Sequence, residues 1–528
     1  MSPVALFELV LALIGAALVL SLVAGRLHLP PAAALVVGGM VLALTPGVPA
    51  FNLDPDLILV LFLPPLLLAS AYFTVWREFK AQLRPILLLS VGAVVFTTVV
   101  VAVIARWMLP SLPWAACVAL GAIVSPPDAV AAKAVLQRVM LPERLVTVLE
   151  GESLVNDASG LVIYKFAVAA ALTGMFSSAE ATGSFVWLVV GGVGFGLLSG
   201  YLWTELVRRL HDASTIVVSS FLGAWASYLV AEALHASGVL ATVACGAVVG
   251  LRSHEIFTAN VRLQANAVWS VVVFVLEALV FVLIGLALRG VLHRNGGDMS
   301  AIWTGLPLAA AVTAAVVAAR FVYLALAVSL PGLALSRRAK RKGPPARFVL
   351  ILGWAGMRGV VTLAAALALP LNFPGHDAIL FAAFVVILFT VLVQGATLAP
   401  LIKLLGVRRQ PRTDADVLDL TGARIAVAEA AMASLEAILA TDSGTALHPR
   451  LIDGYRRRIR AMSRLRDEGE AIEMERSDHF AAALGAVATG RQELIRLHRD
   501  RKIHDSVLRT IESELDLEEL RLMRAADG

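Results

Sequence analysis

Charge is what this chain has least of. Only 16% of its 528 residues are Asp, Glu, Lys or Arg, where a soluble domain carries about a quarter. That shortage excludes a soluble globular class for most of the length. Cysteine is nearly absent as well. Cys117 and Cys245 both sit in apolar stretches, so there is no disulfide framework and no metal-ligand spacing. No G-x-x-x-x-G-K-[ST] loop occurs, which leaves nothing to cradle ATP phosphates. The net charge of +5 is modest, and neither a nucleic-acid partner nor a cofactor is called for.

What fills the space is hydrophobic: 59% of the residues. A helix needs about 20 apolar residues to cross the hydrocarbon core of a bilayer. Thirteen candidate spans follow: 4–24, 30–46, 57–75, 84–106, 114–134, 146–172, 184–207, 215–233, 238–251, 264–289, 301–331, 347–370 and 377–405. The first lacks a basic n-region and is read as a retained helix rather than a cleaved signal.

Basic residues fall on alternate loops. One set carries Arg26, Arg77, Lys80, Arg84, Lys133, Arg138, Arg144, Arg208, Arg209, Arg252, Arg262 and "SRRAKRKGPPAR" at 336–347. The other carries Arg106, Arg289 and Arg294. The rich set belongs in the cytoplasm, so the N-terminus is expected outside and the C-terminus inside, as an odd number of spans requires. The expected domains are 1–407, in the membrane, and 408–528, a cytoplasmic helical tail with a regulatory role. The tail is dense in Arg, Glu and Asp, with apolar residues at helical spacing. Its stretch "YRRRIRAMSRLR" is read as a solvated helix face.

Ionisable residues inside spans are rare and usually functional. Away from span ends they are Asp128, Glu152, Asp157, Lys165, Glu277, Arg320 and Arg358. Asp128 follows Pro126-Pro127, which remove two backbone donors in mid-span. A broken helix is predicted there, tolerable only where protein or a watery cavity satisfies the freed groups. Asp128 then either binds a cation or caps the second half-helix. Asp157 lies near mid-depth of the sixth span. Ser153 and Asp157 share a helix face, as do Glu152 and Asn156. Hydroxyl and carboxylate oxygens suit hard cations. Burial disfavours a charged carboxyl, so such an aspartate can trade a proton for a cation.

Glu152 is too expensive to leave unpaired; Arg320, and Arg358 as an alternative, are its candidate partners. Gly353, Gly356 and Gly359 around Arg358 predict a second interruption, with close backbone approach. Lys165 is read as snorkelling outward. Glu277 is either a packing residue or an acid at the mouth of an ion path. The two interruptions fall in the fifth and twelfth spans. They are equivalent positions if the seventh span links two inverted six-helix repeats, a transporter plan with binding at crossed broken helices. The expected fold is therefore all-α and polytopic.

"VSPPDAVAA", "EGESLVNDASGLV", "FVLIGL", "ARFVY" and "GWAGMRGVVTLAAAL" together resemble the bacterial sodium–proton antiporters of the first cation–proton antiporter family, over residues 1–405. The resemblance implies a homodimer in the bacterial plasma membrane, exchanging Na⁺ for H⁺, with Li⁺ and K⁺ as further candidates. It implies that Asp157 binds the ion with Asp128 and Ser153 beside it. It places Asn156 in the cation/proton-binding set and associates it with electroneutral exchange, and it makes Glu152 with Arg320, joined by Arg358, a structural ion pair. Two positions depart from the family pattern. Ala69 and Ser70 stand where an acid is common, and Pro127 replaces a frequent threonine. A K⁺/H⁺ antiporter of the same fold is the alternative. An intramembrane aspartyl protease using Asp128 and Asp157 lacks its Gly-x-Gly-Asp context, and a channel would favour repeated pore loops.

Overall fold

The structure is a computed structural model. It describes residues 3–26, 30–45, 55–128, 141–174, 178–294, 299–329, 346–407, 420–439, 449–468, 473–500, 502 and 505–526. Every regular element among them is a helix. The half-helix predicted after Asp128, Lys133, Arg138 and most of the basic run at 336–347 lie outside the described residues.

The chain divides into two compact units, Met1–Arg409 and Gln410–Gly528. The first begins with α1 (Pro3–Arg26), α2 (Pro31–Leu44), α3 (Pro55–Phe73) and the short α4 (Trp76–Ala81). Then come α5 (Leu83–Met108), α6 (Trp114–Val124), α7 (Glu143–Thr173), α8 (Ser178–Val207), α9 (Ala213–Ala233), α10 (Gly238–Ile256), α11 (Ala259–Arg294) and α12 (Met299–Ser329). Two short helices, α13 (Ala346–Trp354) and α14 (Val360–Leu367), precede α15 (His376–Leu404). Among the described residues, eight helices are long and apolar enough to cross a membrane. Shorter apolar helices stand at the first, second, third and fifth predicted spans. The twelfth is the broken pair α13–α14, as the glycines around Arg358 led one to expect.

Local sequence sets the ends. Asp212 accepts the Thr215 N–H at 2.7 Å and caps α9, and those bonds hold its carboxyl below the usual carboxylate range. Ser237 caps α10 through the Leu240 N–H. Gly174 closes α7 in the left-handed conformation, φ 69°.

Packing sorts these helices into two groups, dense within and lighter between. The first comprises α1–α3 and α8–α11. The second comprises α5–α7 and α12–α15. Small residues allow the closest crossings: a Cβ on Gly285 of α11 would stand 2.3 Å from the Val36 carbonyl of α2. In the tail unit, α16 (Leu420–Leu439) packs on α17 (Pro449–Glu468), and α18 (Glu473–Arg499) on α19 (Asp505–Ala526). Arg491 of α18 pairs with Asp516 at 2.7 Å and with Glu519.

Candidate functional site

The two interruptions meet. Helix α6 ends at Val124, and the chain turns through Ser125, Pro126 and Pro127 to Asp128. The Asp128 N–H donates to the Met357 carbonyl, 2.6 Å away in the gap between α13 and α14. The Asp128 carboxylate accepts the Val360 N–H at 3.3 Å. Asp128 thus caps the opposite half-helix, α14, where a negative charge is stabilised by the orphan amides and the helix dipole. The capping contact falls on the half-helix of the other interruption, while the residues that follow Asp128 lie outside the described residues.

Gly359 makes the contact possible, since a Cβ there would lie 1.9 Å from Asp128 Oδ2. Gly359→Ala must therefore push the carboxylate off α14. Exchange in liposomes should fall about a hundredfold, the scale of a roughly 1 Å misplacement at a working centre. Unchanged exchange would show that this contact is not needed.

Arg358 is buried in the same knot. Its Nε donates to the Val124 carbonyl at 2.9 Å, its Nη2 to the Ser125 carbonyl at 3.2 Å, and its Nη1 to the Gly356 carbonyl. A cation here satisfies the carbonyls that end α6. Arg358 thus spends its guanidinium on backbone carbonyls and does not join Glu152 in an ion pair, as the resemblance implied it would. Thr390, in a π-helical turn of α15, accepts the Arg358 N–H at 3.0 Å.

Glu152 meets Arg320 instead. Arg320 Nη1 and Nη2 donate to the two Glu152 oxygens at 2.6 and 2.9 Å, and Nε donates to the Leu352 carbonyl at 2.9 Å. Glu152 is 1% exposed and Arg320 3%, so each charge is compensated almost wholly by the other. Asn156, on the same face of α7, donates from Nδ2 to the Pro127 carbonyl at 2.6 Å. It takes up the backbone group released by the break rather than facing a cavity. Its Oδ1 is buried with no hydrogen-bond partner among the described residues.

The next face of α7 is different. Ser153 and Asp157 line a cavity of about 430 Å³, together with Asp128, Glu150, Glu277 and Ser70. Asp157 is buried, 8% exposed. Ala69 and Ser70, where an acid was expected from the family pattern, also line this wall. Glu277 is half-buried and lines the cavity from the α11 side. The cavity extends from Asp157 to Glu150 and Phe73, which lie toward the end of the bundle that carries Arg77, Lys80 and Arg144. Helix α7 is held by Ser159, whose hydroxyl donates to the Ser90 carbonyl at 2.6 Å. Ser90 lies in a π-helical stretch of α5, Leu88–Ala93. Such stretches leave carbonyls without their usual partner, and Tyr323 donates to another of them, Leu88, at 2.8 Å.

Sequence reasoning passed over Ser159, Thr390, Glu150 and Glu232. Glu232 binds Lys165 Nζ at 2.9 Å. The available signal was an acid near a span end, at the same predicted depth as the lysine. Among the described residues no group of three or more His, Cys, Asp or Glu is placed to hold a metal ion.

Two interrupted spans that cross, with carboxylates at the crossing and a cavity leading to them, define an ion-coupled membrane carrier. Residues 10–404 match the family described as "Sodium/hydrogen exchanger, transmembrane". An uncharacterized Na(+)/H(+) exchanger of Mycobacterium tuberculosis is 34% identical over 98% of this chain and 96% of its own. A sodium, potassium, lithium and rubidium/H(+) antiporter of Bacillus pumilus is 34% identical over 69% of this chain and 56% of its own. The sodium proton antiporter MjNhaP1 of Methanocaldococcus jannaschii shares the fold, with a TM-score of 0.61 at 19% identity, over 77% of this chain and all of the other. The chain belongs to the sodium/hydrogen exchanger family: it is a multi-pass cation/proton antiporter, a transporter and not an enzyme.

Proposed function

We propose that the protein exchanges Na⁺ for H⁺ one for one, by competition of the two ions for Asp157. The observation behind this reading is the division of α7 into two faces. Glu152 and Asn156 are committed to Arg320 and the Pro127 carbonyl, whereas Asp157 and Ser153 look into the cavity. Ser153 and Asp128 supply further oxygens for the cation, while Asp128 keeps its place on α14. Glu277 and Glu150 line the approach. Asp157 carries a proton or a cation across, never neither, because a bare carboxylate is costly to move through a low-dielectric barrier. The cavity opens to the cytoplasm in this conformation, with the N-terminus outside and the tail inside. The working unit is a homodimer in the plasma membrane, and residues 408–528 regulate it.

One charge in each direction makes the exchange electroneutral. Proteoliposomes holding a pH dye, with a potential set by valinomycin and K⁺, test this directly. The pH gradient at which Na⁺-driven flux stops should be the same with and without the potential. A shifted end-point would mean a second proton and would move Asp128 into the titrating role. Na⁺, Li⁺ and Rb⁺ added in turn, and K⁺ without valinomycin, establish selectivity. The Bacillus pumilus relative, named for all four cations, is the reason to include the larger ones.

A further inference from the structure

Asp157 is reached from one end of the bundle, and an ion pair lies toward the other. Lys165 stands eight residues beyond Asp157 on α7, about 12 Å along the helix. Its Nζ lies 2.9 Å from one Glu232 oxygen and 3.3 Å from the other. Glu232 ends α9, and its carboxylate also accepts the Gly238 N–H at 3.1 Å, at the start of α10. The corner between them is tied to α8. Trp187 Nε1 donates to the Leu234 carbonyl at 3.1 Å, and the Ser237 N–H donates to the Leu188 carbonyl at 3.1 Å.

Glu232 is therefore fixed to the first helix group. Lys165 moves with the second, because α7 is bound to it through Arg320, Pro127 and Ser90. The pair joins the two bodies on the side away from the cavity. We propose that Lys165–Glu232 is a latch that holds this side shut, and that it breaks each time Asp157 opens there. The proposal rests on the reading of Asp157 as the exchange site. Its exposure suits the task. The side chains are 48% and 32% accessible, and ion pairs so solvated are weak enough to break in every cycle. The buried Glu152–Arg320 pair is not.

Right-side-out and everted membrane vesicles present opposite faces to added Na⁺. Lys165→Met should tighten the apparent Na⁺ affinity by about two- to fivefold at the face opposite the cavity, since the competent state there becomes more populated. Lys165→Arg should leave it unchanged. A shift equal at both faces, or none, would overturn the latch. A second experiment joins Lys165→Cys to Glu232→Cys with a short cleavable bis-thiosulfonate. Cross-linking should arrest exchange, and reduction should restore it. The parent chain, whose Cys117 and Cys245 are buried, is the control. A cross-linked carrier that still turns over, or a pair that never cross-links, refutes the proposal. If the cross-link arrests exchange while Asp157→Asn stays active, the latch stands and the assignment of Asp157 falls.

Discussion

Asp157→Asn should reduce cation/proton exchange to the background of empty liposomes while the protein stays folded. The substitution keeps the size of the side chain and removes only its charge and its proton. The cavity retains Ser153, Asp128 and Glu277, so cation ligands remain but the group that ties cation to proton is gone. Burying a carboxylate in the bundle costs stability, and an amide costs less. The melting temperature in detergent should therefore hold or rise. Asp157→Glu keeps the chemistry but shifts the oxygens by one methylene, and partial exchange is expected. Robust Na⁺-dependent proton flux through Asp157→Asn would end the proposal that this residue carries the ions.

Breaking the Glu152–Arg320 pair should have the largest effect on stability. Either alanine substitution strands a charge that is at least 97% buried, at a cost of about 3–5 kcal/mol. Arg320→Ala also releases the Leu352 carbonyl, so it should be the worse of the two. The double variant removes both charges and should melt above the value expected from adding the single losses, the mark of direct coupling. Thermal unfolding followed by intrinsic fluorescence in detergent measures this. Strictly additive shifts would mean that the bidentate contact contributes little. Residual exchange in the double variant, per folded molecule, then separates a scaffold role from one in transport.

The breaks were legible because proline and glycine act locally. Pro126-Pro127 remove two backbone donors and crowd the preceding turn, although the same pair at Pro64-Pro65 lies inside α3 without ending it, and the glycines around Arg358 signalled close approach. The two faces of α7 were legible too, since residues four apart align by helical geometry alone. The oxygens of Ser153 and Asp157 pointed to one face as the ion-facing one, but the rotation of α7 that sets this face on the cavity comes from its packing among the other helices. The same limit explains Arg358. Its sequence neighbours show a buried cation needing acceptors, but two of its three acceptors are main-chain carbonyls at the end of α6, more than 200 residues away. Backbone carbonyls look alike at every position of a sequence.

By itself the sequence determined the class: a chain too apolar for water, spans of membrane length, and a handful of charges too costly to be incidental. The hydrocarbon core makes this possible, because it penalises each misplaced charge wherever the rest of the chain goes. Tertiary structure alone decided the partners. It set Glu152 on Arg320 rather than Arg358, Asp128 on α14, Asn156 on a proline carbonyl, and Lys165 on Glu232. Each pairing joins segments brought together only by the packing of helix on helix. A short-range interaction between residues far apart in the chain exists only once that packing has fixed their distance.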